Sequence, residues 1–391
     1  MLAVILAGGM GLRLAPVTNH LPKALVPVDG IPIIQLQLNQ LERIGITRVI
    51  ILTGYLSNSI DNYLKFNSNS LSITCIATQP DFSPAERLLQ STNLIGNSFI
   101  LMYCDNYITC DEDLKLLLSS EHDLTFLIEY RSKGNIRIES NSRAYYVSDK
   151  RYESHNYVEL GNIVIRTDKF WGILRKNQDL PKTLEQISNK KFCSYQIVDH
   201  PVISVSNFDK YLESISKRKV VLLDRDGILL RKMPHRQYLS DFSKYEPIYD
   251  TWDALKKIAK FGVDYIIVTN QPGVATGEVD EIFLQELHLK LVSELMSYGI
   301  NVLAIYVCKH HWDDNCACRK PQPGMLKEAI VQFRLDLNQT LYIGDEITDA
   351  IAASSSGLNH ILVSKNNIDK CTFGTLADAV PTLLAMIDKV D

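Results

Sequence analysis

The chain has 391 residues, of which 46% are hydrophobic and 22% are charged, and its formal net charge is −4 at pH 7. This composition is typical of an ordinary globular protein, and the length is enough for two domains. The charge gives no indication of a nucleic-acid or anionic-membrane partner, and no apolar run reaches the roughly 18 residues of a membrane span.

The first segment, MLAVILAGGMGLRL, is apolar but has no basic flank and runs directly into glycines. It predicts a buried strand, not a signal peptide. Five of the eight cysteines stand singly, which is not the pattern of a disulfide framework. We therefore expect a cytoplasmic protein. The five single cysteines are Cys75, Cys104, Cys110, Cys193 and Cys371.

Short apolar runs alternate with amphipathic segments along the whole chain, as in α/β structure. In the first half, LAVILAG, VIILTG and FILMYCD predict buried strands, and IIQLQLNQLERIG predicts a helix that ends at Gly45. The pattern restarts at VVLLDRDG, after a polar helical stretch. We predict two doubly wound Rossmann-like α/β domains, residues 1–215 and 216–391.

A glycine-rich loop follows the first predicted strand. Gly8, Gly9 and Gly11 let backbone N–H groups close on phosphate oxygens, because no Cβ stands in the way. Arg13 adds a planar guanidinium and Lys23 a point charge, which suits a triphosphate whose pyrophosphate must leave. The loop is neither a P-loop nor the dinucleotide fingerprint. A glycine turn beside surface bases is the alternative.

The run GGxGxRL, followed by PKxLxPVxGxP at 22–32, resembles the sugar-phosphate nucleotidyltransferases, which have a GT-A-like fold. The resemblance covers about residues 1–215. It implies substrates of two kinds, a sugar phosphate and a nucleoside triphosphate. It also implies a nucleotide-binding set formed by Ala7, Gly8, Gly9, Gly11, Arg13 and Lys23, of which Arg13 and Lys23 are also catalytic.

The same resemblance implies a magnesium site in the first half. Asp105, at the end of the strand FILMYCD, is the first expected Mg²⁺ ligand, and Asp199 is the second. The metal would offset the charge that grows as the sugar phosphate attacks the α-phosphorus. Lys150 is expected to hold the sugar phosphate. The alternatives are a strand-end turn residue for Asp199 and a solvated lysine for Lys150.

Two departures from the family pattern leave the base specificity and the activity of the first half open. QPDFSPAERLL has no glycine where the family has a glycine-containing loop that cups the base. The usual Asn-Gly-Asp is replaced by Tyr103-Cys104-Asp105. The choice of base stays open, and a binding or regulatory module without turnover is the alternative.

In the second half, Asp224 and Asp226 come directly after a buried strand. Carboxylates at the carboxyl end of such a strand point into the usual ligand site of an open α/β sheet. Asp224 is placed to accept a phosphoryl group as a nucleophile. Asp226 is placed to protonate the leaving alkoxide and later to activate water. A polar turn is the alternative for Asp-x-Asp alone.

Three later segments argue against a simple turn. IIVTNQPG places Thr269 and Asn270 after another strand, as donors to a phosphate. CRKPQPG supplies Lys320, a cation that balances the phosphate and the nucleophile. LYIGDEITD places Asp345 after a further strand as a metal ligand, with Asp349 one helical turn on.

In this order the segments resemble the haloacid-dehalogenase (HAD) phosphatases over about residues 218–365. The resemblance implies a HAD-like fold for the second domain. It also implies a Mg²⁺ ion held by Asp224, Asp226 and Asp345.

Three cysteines and a histidine form the pattern Cys308-x-His310-x5-Cys316-x-Cys318. Three thiolates and one imidazole would close a tetrahedral structural zinc site. Such a site would fold a loop that has no core of its own and would fix Arg319, as a substrate-binding residue, and Lys320 toward the substrate. Three free thiols are the alternative, and a redox pair is disfavoured because there is no Cys-x-x-Cys.

The zinc loop with DRDG, VTNQPGVATG and CRKPQPGM looks like the subfamily that holds heptose bisphosphate phosphatases and histidinol phosphatases. The short gap between His310 and Cys316 is similar to the histidinol type, and Ile228 and Glu346 depart from the usual residues. Fusion favours the heptose type, because a 1,7-bisphosphate 7-phosphatase makes the sugar 1-phosphate that a nucleotidyltransferase uses. We therefore expect a bifunctional enzyme that forms a GDP-heptose from GTP, with the oligomeric state open.

Overall fold

The computed structural model describes residues 1–67, 70–139, 143–190, 193–215, 219–235, 237–365 and 371–387. It divides into two compact units. The first comprises Met1–Thr18, Pro22–Val26 and Ile31–Ser214, and the second comprises Asn19–Leu21, Pro27–Gly30 and Ile215–Asp391. The predicted division between residues 215 and 216 stays a prediction, because residues 216–218 lie outside the described ranges.

The strands up to residue 215 are, in chain order, β1 (Leu2–Ala7), β2 (Pro27–Val28), β3 (Ile31–Pro32), β4 (Arg48–Thr53), β5 (Ser72–Ala77), β6 (Phe99–Tyr103), β7 (Asn106–Ile108), β8 (Leu124–Tyr130), β9 (Ile136–Ile138), β10 (Ala144–Tyr146), β11 (Tyr157–Ile165), β12 (Cys193–Ile197) and β13 (Val202–Ser204). The helices are α1 (Ile33–Arg43), α2 (Ser57–Phe66), α3 (Pro84–Gln90), α4 (Thr92–Ile95), α5 (Asp111–Ser119), α6 (Phe170–Asn177), α7 (Leu180–Lys190) and α8 (Phe208–Ile215).

A nine-stranded mixed sheet forms the centre of the first unit within the described residues. β6, β1, β4 and β5 are neighbours and run parallel, and β11 joins β6 in the antiparallel sense. Buried apolar side chains pack the sheet against the helices, and Phe99 stacks on Trp171 with ring centroids 5.7 Å apart. The chain moves from β1 to β4 on one side and returns to β6 on the other. Ligands of open α/β sheets bind at such a point, where the strand order reverses.

The remaining strands are β14 (Lys219–Leu223), β15 (Val263–Asn270), β16 (Val302–Cys308), β17 (Thr340–Gly344), β18 (Asn359–Val363) and β19 (Thr372–Phe373). The remaining helices are α9 (Tyr249–Ala259), α10 (Glu281–Tyr298), α11 (Gly324–Phe333), α12 (Ile347–Ser355) and α13 (Leu376–Ile387).

Among the described residues of the second unit, these strands form one parallel sheet in the order β16-β15-β14-β17-β18-β19. β14 lies between β15 and β17, with Leu223 opposite both Ile267 and Ile343. The carboxyl ends of these three strands therefore meet at one edge. The predicted α/β class with doubly wound sheets is confirmed.

Local sequence signals explain where the helices begin and end. The Asp280 side chain accepts hydrogen bonds from the N–H groups of Ile282 and Phe283 at 2.8 and 3.0 Å and so caps α10. That helix ends at Gly299, which has φ +91°. Helix α1 ends just before Gly45, as predicted. Of the described helices, none is long and apolar enough to cross a membrane.

Candidate active sites

In the second unit, polar side chains converge where three parallel strands end. Asp224 follows β14, Asn270 is the last residue of β15, and Asp345 follows β17. This edge of the sheet borders a cavity of about 280 Å³, whose lining includes Asp224, Asp226 and Lys320. The order of strands alone thus brings most of the predicted phosphatase residues together.

Lys320 is the central positive charge of this edge, although its side chain is buried. Its Nζ lies 2.9 Å from Asp224 Oδ1 and 2.7 Å from Asp349 Oδ1, and it donates to the carbonyl of Val268 and to the Tyr342 hydroxyl. Burial lowers the pKa of Lys320, but the two carboxylates outweigh it and hold the pKa above its usual value. Burial raises the pKa of Asp224 to about 7, against the opposing effect of Lys320.

Three carboxylates at this edge form a group that can hold a metal ion. Asp224, Asp345 and Asp349 have oxygen atoms within 4.8 Å of one another. Asp349 already accepts hydrogen bonds from Tyr342 and from the N–H groups of Asp345 and Glu346. Asp345 Oδ1, by contrast, is buried and has no hydrogen-bond partner among the described residues. An unpaired carboxylate oxygen beside Asp224 fits a hard cation such as Mg²⁺.

Asp226 lines the cavity but lies outside that carboxylate group. Its Oδ2 accepts hydrogen bonds from Arg225 Nη2 at 2.9 Å and from Gln271 Nε2 at 2.7 Å. Arg225 is 1% exposed, and its Nη1 lies 3.1 Å from His288 Nε2. These contacts fix the Asp226 carboxylate at the cavity, and its acid–base role stays a prediction. They give no support to the predicted Mg²⁺ contact of this side chain.

The two predicted phosphate donors differ in their surroundings. Asn270 lines the cavity, and its amide bonds both the carbonyl and the N–H of Lys320, at 3.0 and 3.1 Å. Thr269 is fully buried, accepts a hydrogen bond from Gln271 and does not line the cavity. The structure therefore places Asn270 at the cavity, where it also fixes the backbone of Lys320, and it places Thr269 behind it.

Three residues at this cavity were missed by sequence reasoning. Lys232 Nζ lies 2.8 Å from Asp345 Oδ2 and also contacts Glu346. Arg225 and Gln271 hold Asp226, as described above. A signal existed for the last two, since each directly follows a residue that was singled out, but none existed for Lys232. Arg319, which was predicted, lines the cavity with a buried Nη1 that has no partner in the part of the chain that the structure describes.

The predicted cysteine–histidine ligands close into one cluster at the end of β16. The three sulfur atoms lie 3.4–3.7 Å apart. The Nδ1 atom of His310 lies 3.6 Å from Cys308 Sγ and 3.1 Å from Cys318 Sγ. Sulfur atoms around a tetrahedral zinc at about 2.3 Å would lie roughly 3.8 Å apart. The donor set of Cys308, His310, Cys316 and Cys318 therefore fits a closed four-coordinate metal site.

In the first unit, Lys23 and Asp105 meet between the ends of β1 and β6. Lys23 Nζ donates to Asp105 Oδ2 at 2.7 Å. Asp105 Oδ1 is buried and has no hydrogen-bond partner within the described ranges, so it too fits a divalent cation. A cavity of about 430 Å³ borders Asp105 and Arg13. Its other charged lining residues are Glu129, Arg131, Arg151, Glu159 and Lys210.

The glycine loop turns sharply after β1. Ala7 ends the strand and is buried, as is Gly8, whereas Gly9 is exposed and a Cβ there would meet nothing within 4 Å. Gly11 has φ +67°, and a Cβ on it would lie 2.9 Å from the Thr18 side chain, so only glycine fits without strain. The part of the predicted phosphate-binding loop that is open to a ligand is therefore Gly9 to Gly11.

Asp199 is exposed and does not line the cavity that contains Asp105. Ser204, which pairs with Asn106 in the short β13–β7 ladder, lines this cavity. The structure therefore does not bring the predicted second carboxylate to the first.

Lys150 is also exposed and lies outside this cavity. Its Nζ lies 5.1 Å from the ring centroid of Tyr152, a cation–π contact. Arg151, the next residue, lines the cavity instead. The sugar-phosphate role of Lys150 stays a prediction.

Glu159 lines this cavity, and no sequence motif pointed to it. It accepts a hydrogen bond from the N–H of Gly161, and its own N–H donates to Asn135 Oδ1 at 3.1 Å. Burial raises the pKa of Glu159 to about 7, and Asp105 adds to this effect. A carboxyl group in such a polar cavity is well suited to bind hydroxyl groups of a ligand.

Comparisons with known proteins find one family in each of the two parts of the chain. The nucleotidyl transferase family model matches residues 2–128, and the HAD-hydrolase-like model matches residues 317–385. The chain therefore combines a nucleotidyl transferase part with a HAD-like phosphatase part, as the two resemblances predicted.

The probable D-glycero-D-manno-heptose-1,7-bisphosphate 7-phosphatase of Thermoplasma acidophilum is 36% identical over 155 residues, 39% of this chain and 95% of that protein. Through this relationship the chain belongs to the family of heptose-1,7-bisphosphate 7-phosphatases. The histidine biosynthesis bifunctional protein HisB of Campylobacter jejuni subsp. doylei is 34% identical over 141 residues, 36% of this chain and 40% of that protein. HddC from Yersinia pseudotuberculosis is 20% identical with a TM-score of 0.45, over 55% of this chain and 98% of that chain.

Proposed function

We propose that the protein removes the 7-phosphate of D-glycero-D-manno-heptose 1,7-bisphosphate and transfers GMP from GTP to the resulting heptose 1-phosphate. The product would be GDP-D-glycero-α-D-manno-heptose, made in the cytoplasm for a bacterial surface glycan such as lipopolysaccharide. The observation that carries this proposal is the presence of both families on one chain, since the first reaction makes the substrate of the second.

In the phosphatase, Asp224 is the nucleophile. Its Oδ1 is held by Lys320 Nζ and by the N–H of Arg225, which leaves Oδ2 to attack the phosphorus of the 7-phosphate. As the phosphorus–oxygen bond to the sugar breaks, Asp226 gives its proton to the leaving oxygen. Asp226 then takes a proton from water, which attacks the phosphorus of the aspartyl phosphate. The bond between Asp224 and the phosphorus breaks, and inorganic phosphate and the free Asp224 carboxylate are released.

Asp224 and Asp345 would hold Mg²⁺, which offsets the charge of the phosphate as the nucleophile approaches. Lys320 contacts Asp224 Oδ1, and Asn270 fixes the backbone of Lys320. Asp349 holds Lys320 in place through its own carboxylate. Arg319, with its unpaired Nη1, is placed to bind the anionic substrate.

The cluster of Cys308, His310, Cys316 and Cys318 would hold a structural zinc ion. Its last ligand directly precedes Arg319 and Lys320, so the zinc would order the segment that delivers both cations. Three thiolates available for a metal suit a reducing compartment.

In the nucleotidyltransferase, Gly9 to Gly11 and Arg13 would bind the triphosphate, and Lys23 would bind a phosphate oxygen near Asp105. Asp105 would hold Mg²⁺ through its unpaired Oδ1. The charged cavity beside it would take the sugar phosphate, with Arg13 and Arg151 toward the phosphate and Glu159 toward the hydroxyl groups.

A second candidate is a phosphatase whose N-terminal part binds a nucleotide or sugar without turnover. Two observations favour it: the predicted second carboxylate, Asp199, does not line the cavity that Asp105 lines, and the base loop lacks glycine. Histidinol phosphate is a further substrate candidate, favoured by the similarity to HisB and the short His310–Cys316 gap.

One incubation tests the proposed function. Purified protein and Mg²⁺ are mixed with heptose 1,7-bisphosphate and each nucleoside triphosphate in turn, and phosphate, pyrophosphate and sugar nucleotide are measured. We expect both phosphate and pyrophosphate to be released with GTP. Phosphate alone would support the second candidate, and no release of either would overturn the heptose assignment.

Replacing Lys320 with Met is expected to lower kcat/KM for phosphate release by roughly 10²- to 10³-fold, because Asp224 and Asp349 would be left buried without their shared cation. Lys327→Met, at an exposed position of α11 in the same unit, is the matched control and should leave kcat/KM unchanged. An active Lys320→Met variant would show that this cation has no role in the reaction.

A further inference from the structure

Arg87 is almost completely buried next to the glycine loop of the first unit. It lies on α3 and is only 3% exposed. Its Nη1 donates to the carbonyl of Thr53 and to the Thr78 hydroxyl, and its Nη2 donates to the carbonyls of Gly8 and Pro80 at 3.0 and 2.9 Å. The guanidinium thus joins the loops that follow β1, β4 and β5.

Two glycines leave the space that this guanidinium fills. A Cβ on Gly8 would lie 2.2 Å from Arg87 Nη1, and a Cβ on Gly54 would lie 2.3 Å from the same atom. The absence of a side chain at Gly8 therefore makes room for Arg87 and not for a ligand. The carbonyl of Gly8 also accepts a hydrogen bond from the N–H of Tyr55. The first glycine of the loop is therefore held by both Arg87 and Tyr55.

The hydrogen bonds that hold Arg87 all go to uncharged oxygen atoms. Burial lowers the pKa of Arg87 from its usual value, against the weaker effects of Asp81 and Glu86. A buried cation that lacks a bonded carboxylate gains little from ion pairing, so its position rests on these four neutral contacts. Because the side chain is long, it can leave this position by exchanging the four contacts for hydrogen bonds to water.

The open cavity of the first unit is lined by residues of β6, β8 and β11, whereas β4 and β5 lie on the other side of β1 in the sheet. It is lined by Arg13 and Asp105 but by none of the residues Gly8 to Gly11. With the sugar phosphate in that cavity and the triphosphate on Gly9 to Gly11, the nucleoside is left with the side of β4 and β5. Arg87 occupies that side.

We propose that Arg87 is a side-chain plug in the nucleoside half of the transferase site and has to leave Gly8 before a nucleoside triphosphate binds. The inference rests on the proposed transferase function. A site that Arg87 blocks for part of the time binds nucleotide more weakly, because the apparent Kd is the intrinsic Kd divided by the fraction of molecules in the open state. The sugar-phosphate half, in contrast, needs no such opening.

Nucleotide affinity of the full-length protein tests the plug. Binding of GTP, ATP, CTP and UTP is measured by calorimetry for the wild-type protein and for Arg87→Ala, and we expect the Kd of the preferred nucleotide to fall about tenfold or more in the variant. Arg166→Ala is the matched control, since Arg166 also donates to backbone carbonyls of the first unit, those of Ser120 and Leu118. Its Kd should equal that of the wild type.

Each result bears on the plug. An unchanged or higher Kd in Arg87→Ala would overturn it, and the transferase function would stand if the wild type binds nucleotide. No binding of any nucleotide by either protein would overturn both. Thermal unfolding confirms that each variant is folded.

A double-mutant cycle of stability, which needs no ligand, tests whether the Arg87 side chain lies against Gly8. Gly8→Ala should destabilise the wild-type protein, because the new methyl group meets the guanidinium. The same change should be nearly neutral in the Arg87→Ala background. Equal effects of Gly8→Ala in the two backgrounds would show that Arg87 does not fill this space and would overturn the plug.

Discussion

Replacing Asp224 with Asn is expected to reduce phosphate release from heptose 1,7-bisphosphate by roughly 10³-fold or more, with no effect on binding of nucleotide to the first unit. An amide is a poor nucleophile and cannot form the aspartyl phosphate. The change is nearly isosteric, and Lys320 keeps its contacts with Asp349, Tyr342 and Val268. The loss should therefore come from chemistry and not from unfolding.

The measurement is the initial rate of phosphate release, with thermal unfolding as the check on the fold. Asp250→Asn is the matched control, because Asp250 is exposed in the first turn of α9 in the same unit. Its rate should equal that of the wild type. Phosphatase activity retained by Asp224→Asn would refute Asp224 as the nucleophile.

The residues predicted for the phosphatase site lie together in the structure because most of them stand at strand ends. Asp224, Asn270 and Asp345 each stand at the end of an apolar run, and parallel pairing brings such ends to one edge of the sheet. The cysteine and histidine ligands could also be chosen from spacing alone, since they lie in one short loop. In both cases the information is local in the chain.

The residues that sequence reasoning did not place belong to loops and to long-range contacts. Asp199 and Lys150 lie in loops, where the sequence pattern does not decide which side chain faces the cavity. The cavity is lined by Arg151, the residue after Lys150, and by Ser204 in strand β13. Arg87 could not be placed because its role depends on loops that are distant in the sequence. The base loop could be recognised as unusual, but not the side chain that fills the space.

The cluster of three cysteines and one histidine leads to the last prediction, that purified protein contains about one zinc ion per chain and that Cys316→Ser loses it. Serine is a poor ligand for zinc at neutral pH, so three donors would remain. The centre of the loop between β16 and α11 contributes no buried side chain, since Asp313, Asp314 and Asn315 are exposed. The metal is thus expected to supply much of its stability.

Loss of the zinc should also disturb the phosphatase site, because Cys318 is followed directly by Arg319 and Lys320. We expect Cys316→Ser to lower the midpoint of thermal unfolding by several degrees and phosphate release by at least tenfold, while nucleotide binding stays unchanged. Metal content is measured by mass spectrometry of the purified variants, and Cys75→Ser in the first unit is the matched control. A wild-type protein that is folded and active without zinc would show that the four side chains are free thiols and an unligated histidine, and that the segment carrying Lys320 is held by Asn270 and the carboxylates alone.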